Sequence, residues 1–527
     1  MRKPRRGMLA VIAASVLTVS LAAAPSAAAG HGGSEGINTG PQFSGYQRAV
    51  LYGIAKDTWN FFEHDVDPNT HLPLDNLGPG AARGTYTSSA NVGTYLWAVV
   101  AAYDLHIIDR HKAASLISAT LTTVTALKRT YGFLYQWYDT SNGHVIKNPG
   151  DMDCATEPTP AQDNCYFLSA VDNGWYASGL MVTRQAFPEL HRLASSLLQP
   201  MNFSIFYDNR PQTACNVNAA IDNQPTGQMF GGYYVDQGPA GYHNGALYSD
   251  PRIAMYLGMG RHQMPGDVWW RTWRTLPPKQ CDTDPDFSWQ GQWPPRGYWT
   301  TIADPQSGKQ FRVWEGHYTY PGTSLKFIPT FNGGMFEGLM ANDVVPETSW
   351  GPRSFGLADR RLARVQMKYA TEQLGYPVWG ISPSSTADDT GGYSAFGAQG
   401  LQFPNGQRIA LGPCVPSPST DCSQVESTVT PHASFIALDV APKRAYDNIA
   451  TLRQLYPDSY TSDGGFYDAV NPSTGAVGHR RLVLDQSMIM AGLDNALNNR
   501  QMQRWFARDP ISYAAKLYLA SETMSLK

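Results

Sequence analysis

Tyr95-Leu96-Trp97-Ala98-Val99-Val100-Ala101-Ala102-Tyr103 is the stretch that decides the fold. A helix on a protein surface carries one apolar stripe, but here apolar residues cover most of the circumference, as a helix packed on two sides requires. Outward from it, the 3.6-residue period predicts helices over 46–64, 90–107, 112–131, 173–187, 189–198, 357–373, 432–440, 441–455 and 484–497. Loops dense in Gly, Pro, Asp and aromatic residues lie between them, notably 131–159, 281–329 and 382–421. Paired helices joined by long polar-aromatic loops predict an all-α toroid of helical hairpins, with the loops gathered at one end to build a site. Short strand signals at Gly232-Tyr233-Tyr234-Val235 and Phe311-Arg312-Val313-Trp314 fit hairpins within those loops.

Charge is close to balanced, 40 Lys+Arg against 43 Asp+Glu, and only 16% of the 527 residues are charged. Without a basic excess there is no field to hold a nucleic acid or an anionic bilayer. The 14 Trp, 28 Tyr and 20 Phe instead suit a protein that stacks flat, uncharged, hydroxyl-rich ligands, although aromatic cores share that composition. Residues 1–29 read as an export signal: Arg2, Lys3, Arg5 and Arg6, an apolar run from Met8 to Ala24, then Ala27-Ala28-Ala29. Residues 30–44 read as a flexible segment, and 45–527 as a single catalytic domain without a spanning segment. The mature chain is therefore expected outside the cytoplasm. Oxidising surroundings favour disulfides for the even set Cys154, Cys165, Cys215, Cys281, Cys414 and Cys422. Fifteen pairings are formally open; proximity favours Cys154 with Cys165 and Cys414 with Cys422, leaving Cys215 for Cys281.

No dinucleotide, phosphate-loop, zincin or serine-hydrolase motif occurs, and the histidines His243, His317 and His432 lack ligand spacing, so neither metal nor cofactor is expected. Acids set among aromatics and glycines carry the chemistry instead: Asp139, Asp172, Asp250, Glu315, Glu337, Asp468 and Asp485. Glycosidic cleavage needs two carboxyl groups, one protonated toward the leaving oxygen and one ionised as base or nucleophile. Apolar, aromatic surroundings keep the acid protonated near neutrality, and the sequence around Glu337 and Glu315 matches best. Each acid has a plainer reading beside this one. Asp172 and Asp485 suit helix caps, Asp250 a cap or an ion pair with Arg252, and Asp468 a turn. Trp137, Trp175, Trp314 and Trp379, each close to Gly or Asp, read as loop aromatics of which at least two should face a sugar.

Ten blocks in order resemble the bacterial glucoamylase-like domain family, which includes the transglycosylase domain of cyclic β-1,2-glucan synthases and, remotely, endo-β-1,2-glucanases. They are YTSSANVGTYLWAVVAAYDL (86–105), GFLYQWYDT (132–140), FLSAVDNGWYASGL (167–180), LYSDPRIAMYLGMGRHQMP (247–265), FNGGMFEGLM (331–340), YPVWGISPSS (376–385), GYSAFGAQGL (392–401), VTPHASFIALDVAP (429–442), GGFYDAVNPSTG (464–475) and LVLDQSMIMAGLDNAL (482–497). The resemblance implies an (α/α)6 barrel with a glycan at its loop-bearing end. It places family acids on Asp250 and Glu337, whereas the synthase glutamate of the W-G-I-S-E-S block is replaced by Pro383. Either Glu315, Asp388 or Asp389 then supplies that proton from another loop, or the reaction and its stereochemistry differ from the synthase's. The expectation is a secreted glycoside hydrolase or transglycosylase acting on a neutral glucan-like oligo- or polysaccharide, β-1,2-glucan first. Its catalytic candidates are Glu337, Glu315, Asp250 and Asp172. Asn91, Asp139, Arg252, Trp379, His432, Asp485 and Gln486 would orient hydroxyls, and Tyr393, Tyr467 and Asp468 also bind substrate. The competing expectation is a glycan-binding or cell-envelope protein that kept the barrel and lost the acid. A lyase would need a basic cleft and acidic sugars, which the motifs do not favour.

Overall fold

The computed structural model describes residues 40–79, 83–150, 154, 165–211, 226–244, 246–275, 296–330, 333–398 and 428–527. The proposed export signal, Cys215, Cys281, Cys414 and Cys422 lie outside them. Helices are α1 (Gly45–Phe62), α2 (Ser89–Asp104), α3 (Arg110–Ala126), α4 (Ala170–Ala186), α5 (His191–Leu198), α6 (Arg252–Gly260), α7 (Asp267–Arg271) and α8 (Met335–Val344). There follow α9 (Glu347–Trp350), α10 (Phe355–Lys368), α11 (His432–Ile436), α12 (Pro442–Leu455), α13 (Val483–Leu497), α14 (Gln501–Arg508) and α15 (Tyr513–Ser521).

Six of these are buried on nearly every face and form the inner wall: α2, α4, α6, α8, α11 and α13. α2 packs on α4, α4 on α6, α8 on α11, α11 on α13, and α13 returns to α2. Between α6 and α8 the ring closes through the guanidinium of Arg252, which donates to the carbonyls of Glu337 and Gly338. The amphipathic helices α10 and α12 lie outside, on α8 and α11 respectively. This is the (α/α)6 arrangement, and the stretch from Tyr95 to Tyr103 lies in α2 on its inner wall. No helix of the described residues is long and apolar enough to cross a membrane.

The α2–α4 crossing is tight because glycines meet there. A Cβ on Gly93 would lie 2.5 Å from the Trp175 carbonyl oxygen, and one on Gly179 would lie 2.3 Å from the Gly93 oxygen. Side-chain hydroxyls start both helices: Ser88 accepts from the Asn91 amide and Ser169 from the Asp172 amide. A hairpin of β1 (Arg296–Ala303) and β2 (Gln310–Thr319) is the longest sheet segment, extended by β3 (Lys326–Phe327). The other described strands are two or three residues long, as in Phe167–Ser169 paired with Gly232–Tyr234. Cys154 and Cys165 form the expected disulfide across the loop before α4.

Candidate active site

The N-terminal ends of all six inner helices point to one end of the barrel, and each contributes a polar side chain in or next to its first turn. These are Asn91 on α2, Asp172 on α4, Asp250 before α6, Glu337 on α8, His432 on α11 and Asp485 on α13. Amide N–H groups unpaired at a helix start favour negative charge, which offsets part of the cost of burying the carboxylates.

Asp172, Asp250 and Glu337 form one group. Ser169 caps α4, so Asp172 is not the cap that its sequence position suggests; it lies inside the first turn. Burial and the neighbouring Asp250 push it up to about 6. Burial and a hydrogen bond with Glu337 drive Asp250 well above the carboxylate range, so Asp250 holds a proton against Glu337. Ser249 Oγ also donates to Glu337 Oε2, at 2.9 Å. Asp250 and Glu337 are both partly exposed.

Asp468, Asp485 and His432 form the second group. Burial raises Asp485 to about 7, and Asp468, which shares a hydrogen bond with it, is raised further by burial and that neighbour. The Ser385 amide donates to Asp468 Oδ2 at 2.6 Å, so the loop following Pro383 reaches this acid by its backbone. His432 Nδ1 lies 3.1 Å from Asp485 Oδ2 and 2.8 Å from Thr430 Oγ1. Burial pushes this imidazole down to about 4, leaving it neutral. Its Nε2 and the Gln486 Oε1 are buried without a hydrogen-bond partner among the described residues. His432, Asp468 and Asp485 place ligand atoms within 4.8 Å of one another, the set that could hold a cation.

The two groups converge. The phenol of Tyr393, whose residue is half exposed, feels Asp485, Asp468, Glu337 and Asp75 together and is raised far above its ordinary value by burial and those charges. Asp75 was not anticipated. Its carboxylate accepts from Asn91 Nδ2 at 2.8 Å and from Asn76 at 3.0 Å, bonds Tyr86, and lies 3.9 Å from the Arg480 guanidinium. Its setting in LPLDNLG carries no periodic or motif signal, because the neighbours that define it are distant in sequence.

Several expected site residues do other work. Glu315 is buried on β2 beside Glu522 and 3.7 Å from Arg274, so its partners are these and not the acids above. Arg252 does not face ligand hydroxyls: it is wholly buried, bonds both oxygens of Glu347 at 2.8 Å, and clamps the Ser249 and Glu337 carbonyls. Trp175 is core, edge-on to Trp97, with only its N–H reaching Asp250. Trp314 is buried against Trp299, and Trp379 is buried toward the outer wall. Trp137 stays half-buried, edge-on to Tyr86. Asp139 closes its own turn by accepting from Ser141. Tyr467 stacks with Arg481, whose guanidinium lies 3.9 Å from the ring centre. Asp388 bonds Thr390 and Asp389 bonds His479, both exposed, so neither joins the acid groups.

Residues 324–510 match the Glycoamylase family model, described as "putative glucoamylase", and residues 53–235 match DUF3131, a protein family of unknown function. The chain is 29% identical over 204 residues to the cyclic β-(1,2)-glucan synthase NdvB of Rhizobium meliloti. That match covers 36% of this chain and spans only 6% of the relative's length. Among solved structures, the fold is similar to an endo-β-1,2-glucanase from Chitinophaga pinensis, with TM-score 0.60 and 13% identity over 91% of this chain and 99% of that one. It is also similar to a β-1,2-glucanase from Parabacteroides distasonis, with TM-score 0.65 and 14% identity over 91% of this chain and 60% of that one. At such identities the likeness establishes the barrel.

Proposed function

We propose that this chain, whose residues 324–510 match the putative glucoamylase family model, is an exported glycoside hydrolase or transglycosylase acting on a neutral glucan, β-1,2-glucan first. The observation that carries this reading is the convergence of two separate acid groups, from α4, α6 and α8 on one side and α11 and α13 on the other, beneath Tyr393. Hydrolysis of an acetal needs a proton donor and a proton acceptor placed on either side of one bond. Asp485, at about 7, carries its proton near neutrality and protonates the leaving oxygen. Glu337 accepts from Ser249 and from the protonated Asp250, and takes the proton of the attacking water or hydroxyl. His432 Nε2 and Gln486 Oε1 bind sugar hydroxyls. The names of the glucanases with this barrel, and of the NdvB relative, support β-1,2-linked glucose as the first substrate to test.

The test is incubation with a panel of purified neutral and charged polysaccharides, reading new reducing ends and product sizes, beside Glu337→Gln and Asp485→Asn. Cleavage of one linkage class, reduced at least about 100-fold in both variants, is the expected result. Oligosaccharide binding without cleavage of any panel member would overturn the hydrolase reading and leave a glycan-binding protein.

A further inference from the structure

Away from the acid groups, a groove of about 650 Å³ between the outer helices α10 and α12 is lined by four cations, Arg360, Arg364, Lys368 and Arg444. Arg360, Arg364 and Lys368 succeed one another at four-residue intervals, which places them in one row on α10, and Arg444 faces them from α12. Successive members of the row are about 6 Å apart along the helix axis. Like charges at this spacing weaken a helix, so the row is not explained by the stability of α10. Burial and the flanking guanidiniums of Arg364 and Arg360 pull even Arg361 below its ordinary value.

Among the described residues, Lys368 is the only member of this row paired with an acid. Glu372 is the one acid lining the groove, and Lys368 occupies both its oxygens, at 2.7 and 2.6 Å. Arg360 donates to the Pro352 carbonyl at 3.3 Å. Among the described residues no carboxylate bonds Arg364 or Arg444, both exposed, in a protein whose net charge is −3. The floor between the cations is apolar, formed by Met367, Val440 and the edge of Trp379. A volume in the range of ligand sites, an apolar floor and a rim of guanidiniums suit a sugar chain that bears anionic groups, since the fork of a guanidinium bonds a phosphate or a carboxylate through two parallel N–H donors.

We propose that this groove is a second glycan site, on the outer wall of the barrel, that holds a polysaccharide through its phosphate or carboxylate groups. None of its residues belongs to the acid groups; the choice of a glycan as the occupant rests on the glycan-acting reading above. Such a site would keep the protein on a charged matrix while the barrel end works on a neutral chain.

The test is calorimetric titration of the mature protein at low and high salt. The probes are a phosphorylated glucan oligosaccharide, an oligogalacturonate of the same length, the matching neutral oligosaccharide, and vesicles containing anionic lipid. Binding of one or both anionic oligosaccharides, weakened by salt and at least about tenfold by Arg364→Glu with Arg444→Glu, is the expected result. The phosphorylated and uronate arms identify the anionic group. Turnover of the barrel's own substrate should be unchanged in that variant, and the milder Arg364→Gln with Arg444→Gln guards against misfolding. The proposal is overturned by equal binding of the neutral oligosaccharide, by binding that survives both double substitutions, by binding of vesicles alone, or by no binding of any probe.

Discussion

Replacing Arg252 by Met should separate the stability of this barrel from the geometry of its site. Arg252 makes five hydrogen bonds without contact with solvent: two to Glu347 at 2.8 Å, and one each to the carbonyls of Ser249 at 2.8 Å, Glu337 at 3.3 Å and Gly338 at 2.5 Å. Arg252→Met leaves the Glu347 charge buried with only the Tyr256 hydroxyl, at 2.7 Å, as a strong partner. Breaking a buried pair in this way costs roughly 3–5 kcal/mol. For a folded unit of this size the unfolding entropy is about 1 kcal/mol/K, so the midpoint should fall by about 3–5 °C. Leu in place of Glu347, added to Arg252→Met, removes the stranded charge, and most of that loss should return. Activity should not return with it. The carbonyls of Ser249 and Glu337 still lack the clamp that brings Asp250 against Glu337, so kcat should stay at least about tenfold down in both variants. Thermal unfolding and initial rates on the substrate found by the polysaccharide panel provide the two readouts. A double variant as unstable as the sum of its single changes, or an Arg252→Met protein with normal kcat, would refute the reasoning.

Asp172, at about 6, and Asp485, at about 7, both lie above the ordinary aspartate value, so the stability they contribute is full below about pH 4 and is lost as pH rises through 6 and 7. Asp485→Asn should therefore raise the unfolding free energy at pH 8 relative to the parent, by at most about 4 kcal/mol, while abolishing activity; a variant less stable at pH 8 would contradict this. His432, held near 4 by burial, acts in the opposite sense: its contribution is full above about pH 6.5 and is lost as pH falls through 4, so His432→Gln should flatten the acid limb of an unfolding–pH curve. Gly93→Ala forces a methyl group into the α4 backbone, and denaturant unfolding should show a loss of about 1–3 kcal/mol, with wild-type stability the contrary result. Removing both Cys154 and Cys165, 11 residues apart, should cost about 3 kcal/mol by loop-closure entropy, and a reductant should add nothing further to that variant's loss at this site.

What the sequence alone determined is what depends on neighbours along the chain. Helix periodicity located α1 to α5, α10, α12 and α13 to within a few residues, because the apolar pattern from Tyr95 to Tyr103 or from Leu484 to Leu497 is imposed by packing on both sides of one helix. Glu337 was legible as an acid inside an apolar helical stretch, and Cys154 with Cys165 as neighbours across one loop. Short α6 and α8 gave a weaker signal, since nine or ten residues hold too few turns for a clear period. Only the tertiary structure decided which acids meet. Asp250 opposes Glu337 across 87 positions and Asp485 opposes Asp468 and His432, because the ring brings the starts of separate helices to one end. The same closure turned Arg252 into a buried clamp and gave Glu315 the partners Arg274 and Glu522, while drawing in Asp75 and Tyr86. Burial and charge proximity set the proton affinity of these groups, and both are properties of the folded chain rather than of any segment of it.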